Sequence, residues 1–221
     1  MTTTLRKETV FERPFDLVVQ VYLSRYPTTE DFPRLLDHQI SRIKWDVDKG
    51  IFLCDKRSTM SVPVPKLLQK ISKVDHIYIY QNLEINIPER TMKEDSWNRA
   101  DAKMYRMNED ANWKGCDGEN GNEFTKFVEE SNVTVNDKVP SHVVKIVMKK
   151  VQKVFEEGYQ TARNVDTVLF QKYENNMLPV MGSIQDFCLR QINHQNLDVT
   201  LDFTQSFEHN FELSHHEGKF I

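Results

Sequence analysis

Apolar positions in this chain repeat in two ways. Helical periods stand at the two ends of the first 173 residues, and alternation fills the stretch between. Phe15, Val18, Val19, Tyr22 and Leu23 recur at i, i+3, i+4, i+7 and i+8, one face of a helix. Pro14 suits the start of that helix, and Pro27 stops it by disfavouring helical geometry at Tyr26. A short strand at about residues 8–12 precedes it. Ile43, Trp45 and Val47 then alternate with polar residues, Asp48-Lys49-Gly50 reads as a hairpin turn, and residues 51–57 return. Further strands are predicted near residues 74–81, 90–98, 103–109 and 122–136, with a loop at 110–121 and a short helix at 66–70. From residue 141 to 173, Val144, Met148, Val151, Phe155, Gly158, Ala162, Val165 and Leu169 follow a strict 4-3-4-3-4-3-4 spacing. That stripe predicts one long helix of about 50 Å. It outreaches any strand here, so it is expected to lie across the concave side of a curved antiparallel sheet. The order predicts an α+β fold.

Charge then sets a boundary. The 221 residues carry a net charge of −4, but seven acids face two bases from Glu174 onward. We therefore divide the chain into a domain of residues 1–173 and an acidic tail, 174–221, partly disordered or extended. Within the tail Leu197, Val199, Leu201 and Phe203 alternate. The net acidity argues against a nucleic-acid partner. No apolar run reaches the ~18–20 residues of a membrane span, and the N-terminus has no apolar signal region.

Enzyme chemistry finds little support. Cys54, Cys116 and Cys188 are too far apart for a zinc or redox pair. The run Gly115-Cys-Asp-Gly118-Glu-Asn-Gly121 precedes a strand rather than the helix a phosphate loop needs, and His215-His216 have no third partner. No catalytic activity, metal or cofactor is expected. Two cationic features remain. Arg25 lies about 20° from Val18 around the first helix, on its apolar face. It reads either as a cation at a helix C-terminus or as an anchor for a ligand's anionic group. Lys145, Lys149 and Lys153, with Lys150 beside them, form a row next to the long stripe. The row is either a solvated face or a surface for anionic membranes.

The residues also resemble a known family. Val10-Phe-Glu-Arg-Pro-Phe-Asp-Leu-Val-Val-Gln-Val-Tyr-Leu-Ser-Arg-Tyr-Pro27, Val64-Pro-Lys-Leu-Leu-Gln-Lys-Ile-Ser-Lys-Val-Asp-His-Ile-Tyr78, Pro88-Glu-Arg-Thr-Met92 and Lys145-Ile-Val-Met-Lys-Lys150 are similar, in order, to PRELI-type domains. The likeness is greatest to those that precede a CRAL-TRIO domain in larger proteins. It implies a seven-stranded antiparallel sheet wrapped on the long helix, with a lipid pocket like that of START and phosphatidylinositol-transfer folds. It also implies shuttling of phosphatidic acid or a related phospholipid between membranes. The mitochondrial intermembrane space, with a small twin-CX9C helical partner, is the implied setting; the cytoplasm is the alternative. By the same resemblance Arg25, Lys56, Arg57, Lys149 and Lys153 bind the lipid and Val62, Pro63, Val64 and Pro65 form a lid. Lys145 and Lys150 would face an anionic membrane. Glu156-Glu157 stand where the family has a basic pair, which leaves the head group open. A module that docks membranes or proteins in the cytosol or Golgi without transfer is the competing expectation.

Overall fold

The computed structural model describes residues 2–25, 32–61, 76–98, 105–137 and 139–195. Seven strands, β1 (Thr2–Phe11), β2 (Leu35–Asp46), β3 (Ile51–Ser61), β4 (His76–Asn86), β5 (Thr91–Asn98), β6 (Tyr105–Asp117) and β7 (Glu123–Val135), form one antiparallel sheet. Three helices accompany them: α1 (Phe15–Ser24), α2 (Ser141–Tyr173) and α3 (Val180–Gln195). The strand order is β1-β7-β6-β5-β4-β3-β2, so the chain meanders from β2 to β7 and β1 closes on β7. β1 and β2 are therefore the two edges, joined in sequence by α1. This is the expected α+β architecture, and α2 spans the predicted residues.

Alternation on the strands sorts the faces. Met92, Glu94, Ser96 and Asn98 of β5 are buried at every second position, as are Ala111 and Trp113 of β6 and Thr125, Phe127, Ser131 and Val133 of β7. The structure corrects the expected loop at residues 110–121. Its first half continues β6 to Asp117, because Ala111, Trp113 and Gly115 face inward in register with Glu129, Phe127 and Thr125. Gly115 is needed there, since an added Cβ would come within 2.9 Å of the Phe15 Cβ, where α1 presses on the sheet. The predicted hairpin turn is also found. Gly50 adopts φ +65°, a backbone few side chains accept, and its amide donates to the Val47 carbonyl at 3.3 Å.

The larger difference is α3. Residues from 174 on were expected as a tail, but Val180, Ile184, Phe187 and Cys188 are buried in the same apolar cluster as Phe15, Val19 and Leu23 of α1. α1 is consequently buried nearly all round, Leu17 and Val21 included, rather than on one face. Gln20 holds the turn between α2 and α3: its Nε2 donates to the Asn176 carbonyl at 3.3 Å, and its Oε1 accepts from the Leu178 amide at 2.8 Å. The predicted short helix at 66–70 and the alternating segment 197–203 lie outside the described residues. Among the described residues no helix is long and apolar enough to cross a membrane.

Candidate functional site

The interior is not one continuous apolar core. One cluster gathers α1, α3 and the sheet residues beneath them, including Phe52, Ile85, Met92, Trp113 and Phe127. A second gathers the start of α2 (Val143, Val147, Met148, Val151) on Val133 and Val135, with Leu5, Tyr105 and Met107 against it. Beyond this second cluster Tyr159 and Phe170 of α2 pack against the first cluster, while among the described residues the later positions of the predicted stripe join neither. Phe155, Ala162, Val165 and Leu169 stay half-buried, and Gly158 is exposed. Two ion pairs hold the helix in this position: Lys7 of β1 to Glu156 at 2.5 Å, and Arg34, just before β2, to Glu157. These partners lie at the two edges of the sheet, so the stripe between them faces the concave side.

The concave face bears charged and hydrogen-bonding groups as well as apolar ones. Lys56 of β3 is buried; its Nζ pairs with Glu94 and donates to the Tyr22 hydroxyl at 2.8 Å, while that hydroxyl donates to Glu94. Gln81 Nε2 donates to Glu94 at 3.0 Å, Ser58 donates to Gln81 at 2.9 Å, and His38 Nδ1 lies 3.2 Å from Ser58 Oγ. Burial pushes the Glu94 carboxyl up, but Lys56, Tyr22 and Gln81 outweigh it and hold it below its ordinary value. Burial, with Lys56 adding to it, lowers His38 to about 3.

A second group surrounds Asp166, which is 2% exposed on α2. Arg25 Nε donates to its Oδ1 at 2.8 Å, and Arg163 Nη2 lies 2.9 Å from its Oδ2. The Arg163 guanidinium stacks over Phe127 at 4.7 Å and Phe11 at 4.8 Å. Facing it on the sheet, Glu109 and Glu129 are hydrogen-bonded to each other. Burial and the neighbouring Glu129 raise the Glu109 carboxyl well above its ordinary value, although both side chains keep partial exposure.

The predicted residues separate. Arg25 and Lys56 are brought inside. Arg57 alternates to the convex side, where it donates to Gln39 at 2.5 Å and lies over the Tyr78 ring. Lys145, Lys149 and Lys153 remain exposed on α2 with Lys150 half-buried, and Lys153 meets Glu157 at 3.5 Å. Helical geometry turns that row away from the sheet, so it adds no cation to the interior. Val62, Pro63, Val64 and Pro65 lie outside the described residues. The cations implied for lipid binding do not leave the interior positive: among the described residues three interior cations (Arg25, Lys56, Arg163) face four carboxyls (Asp166, Glu94, Glu109, Glu129). Sequence reasoning missed Arg163, Asp166 and the glutamate pair. Asp166 carried a usable signal, since it stands five whole turns from Met148 on the buried face.

Comparison with known proteins agrees with this architecture. A CRAL-TRIO domain-containing protein of Caenorhabditis elegans is 23% identical over 104 residues, 47% of this chain. Protein real-time of Drosophila melanogaster is 28% identical over 91 residues, 41% of this chain. The matched stretch is 14% of each relative's own length. Among solved structures, the Zhui aromatase/cyclase from Streptomyces sp. R1128 superposes with a TM-score of 0.52 at 11% identity, over 78% of this chain and 96% of that one. The shared fold is the helix-grip, START-like arrangement of a curved sheet around a long helix. The model of the PRELI-like family matches residues 16–176. The chain therefore belongs to the PRELI-like family.

Proposed function

We propose that this chain is a phospholipid carrier, not an enzyme. It holds the lipid head group at the charged belt and the acyl chains along the underside of α2. The observation that carries this reading is the pair of separate apolar clusters with ionised and hydrogen-bonding side chains between them on the concave face, beside stripe positions of α2 that join neither cluster among the described residues. Extraction from a bilayer forfeits about 0.8 kcal/mol per CH₂, and an enclosed apolar surface restores it. Membership of the PRELI-like family supports the reading. As part of the same proposal, the carrier works in the mitochondrial intermembrane space beside a small twin-CX9C partner. Phosphatidic acid, the cargo that the family resemblance implies, is the reference lipid for testing it.

The test is transfer of fluorescent phospholipid from donor to acceptor vesicles, with mass spectrometry of lipid retained by the purified protein. Transfer is expected, and Ala162→Trp, which fills the space beneath α2, should abolish it while the fold persists. Absence of both transfer and retained lipid would overturn the reading. The outward row Lys145, Lys149 and Lys153 favours a second reading, a docking module. That module would bind anionic vesicles without extracting lipid.

A further inference from the structure

The inner wall of β6 and β7 carries a feature that lipid carriage in general does not require. Glu109 stands directly across from Ser131 in the β6–β7 register, and Ser131 is two residues beyond Glu129 on the same strand face. The three side chains therefore share one patch of the concave surface. Ser131 is fully buried, and its hydroxyl has no hydrogen-bond partner. Buried hydroxyls are almost always paired, so this one marks a place where a partner belongs.

Arg163 stands beside the patch. It is close enough to Glu129 to offset part of the rise that burial gives that carboxyl's pKa. Its Nε and Nη1 also lack hydrogen-bond partners. Unpaired guanidinium donors thus sit beside an unpaired hydroxyl and a pair of carboxyls, the complement of a group carrying both charges.

We propose that Glu109, Glu129 and Ser131 receive the primary ammonium of a phosphoethanolamine head group, and that its phosphodiester meets the free N–H groups of Arg163. This inference rests on the carrier reading and deepens it. Three acceptors match the three N–H donors of a primary ammonium; a choline head offers none. A phosphatidic acid head, doubly negative and without an ammonium, would lie against two glutamates with no cation of its own to offset them. An ammonium there would also oppose the burial and the neighbouring Glu129 charge that raise the Glu109 carboxyl, letting it ionise.

The experiment measures extraction by the full chain from vesicles containing phosphatidylethanolamine, phosphatidylcholine and phosphatidic acid in equal amounts. Phosphatidylethanolamine should exceed phosphatidic acid by about tenfold, the effect of one good charge-assisted contact. In the double variant Glu109→Gln, Glu129→Gln that ratio should fall to near one. If the double variant does not fold, Ser131→Ala, which removes one acceptor and no charge, should lower the same ratio. Equal or greater extraction of phosphatidic acid by the unmodified chain would overturn the inference and leave the carrier reading standing. So would an unchanged ratio in the folded variant. No extraction of any lipid would overturn both. Free phosphoethanolamine separates a head group from a soluble ligand: it should not saturate at millimolar concentration, and tight binding would overturn the lipid source.

Discussion

Glu156 and Glu157 are adjacent on α2 yet reach opposite edges of the sheet, Glu156 to Lys7 and Glu157 to Arg34. Consecutive helical residues point 100° apart, so one pair of carboxylates straddles the concave face and ties the helix to both rims. In the family resemblance these acids replace a basic pair and leave the head group open. The structure gives them a mechanical role instead.

Both pairs are partly exposed to solvent, so their contribution to global stability is small and screened by salt. The double variant Glu156→Gln, Glu157→Gln should unfold at nearly the same temperature. Amide hydrogen exchange in the middle of α2 should nonetheless quicken, and lipid exchange with it. Exchange rates unchanged from wild type would show that packing at the ends of α2 suffices to hold it.

Lys56 is a different case, because its partner is buried. Removing the amine in Lys56→Met leaves Glu94 without its cation, a loss of about 3–5 kcal/mol in urea unfolding. The double replacement Lys56→Met, Glu94→Leu should recover much of that loss, since no charge is then left buried. A single variant as stable as wild type would mean that Tyr22 and Gln81 satisfy Glu94 unaided.

Two interior groups give stability opposite pH slopes. The unfolded chain protonates His38 near its ordinary pKa of about 6.5, whereas the native site resists until about 3. Stability should fall as pH drops through that window, by up to about 1.4 kcal/mol per unit from this residue. His38→Gln should flatten the slope. Glu109 acts in reverse: its native carboxyl keeps a proton that the unfolded chain has already lost. Its cost therefore grows as pH rises above the ordinary carboxyl range, and Glu109→Gln should stabilise the protein more at neutral pH than at pH 5. Unfolding measured across pH 4–8 reads both slopes.

Phe187 of α3 is fully buried and meets the Phe52 ring edge-on at 6.0 Å. Phe187→Ala should cost about 3–5 kcal/mol. A chain cut at residue 176, where the family match ends, should expose Leu23 and Phe52, bind a hydrophobic dye and lose its cooperative transition. Cooperative unfolding of the truncated chain would show that α3 is an accessory to the domain.

Local repetition made much of this fold legible. The 4-3 spacing of residues 144–169 marked all but the end turns of α2 (Ser141–Tyr173). The Val47–Gly50 turn was readable from its residue types, and Arg25 from its angle to Val18. The same reasoning could have found α3, where Val180, Ile184, Phe187, Cys188 and Gln191 repeat with a helical period. The acidic average of residues 174–221 hid it. The face taken by Lys56 and Arg57 was not legible, because Ile51, Phe52, Leu53 and Cys54 form an unbroken apolar run in which period two has no phase. Pairing with β4 sets that phase, with Lys56 opposite Gln81 and Arg57 opposite Tyr80.

By itself, the sequence determined the elements, their order and the inward direction of α2, since these follow from how nearby residues share a helix face or a strand face. Tertiary structure decided which charges meet. Arg25 finds Asp166 across 141 positions, and Glu109 meets Glu129 through strand register. Electrostatic energy depends on separation in space, which spacing along a chain does not encode, so the balance of charge inside the protein emerged only on folding.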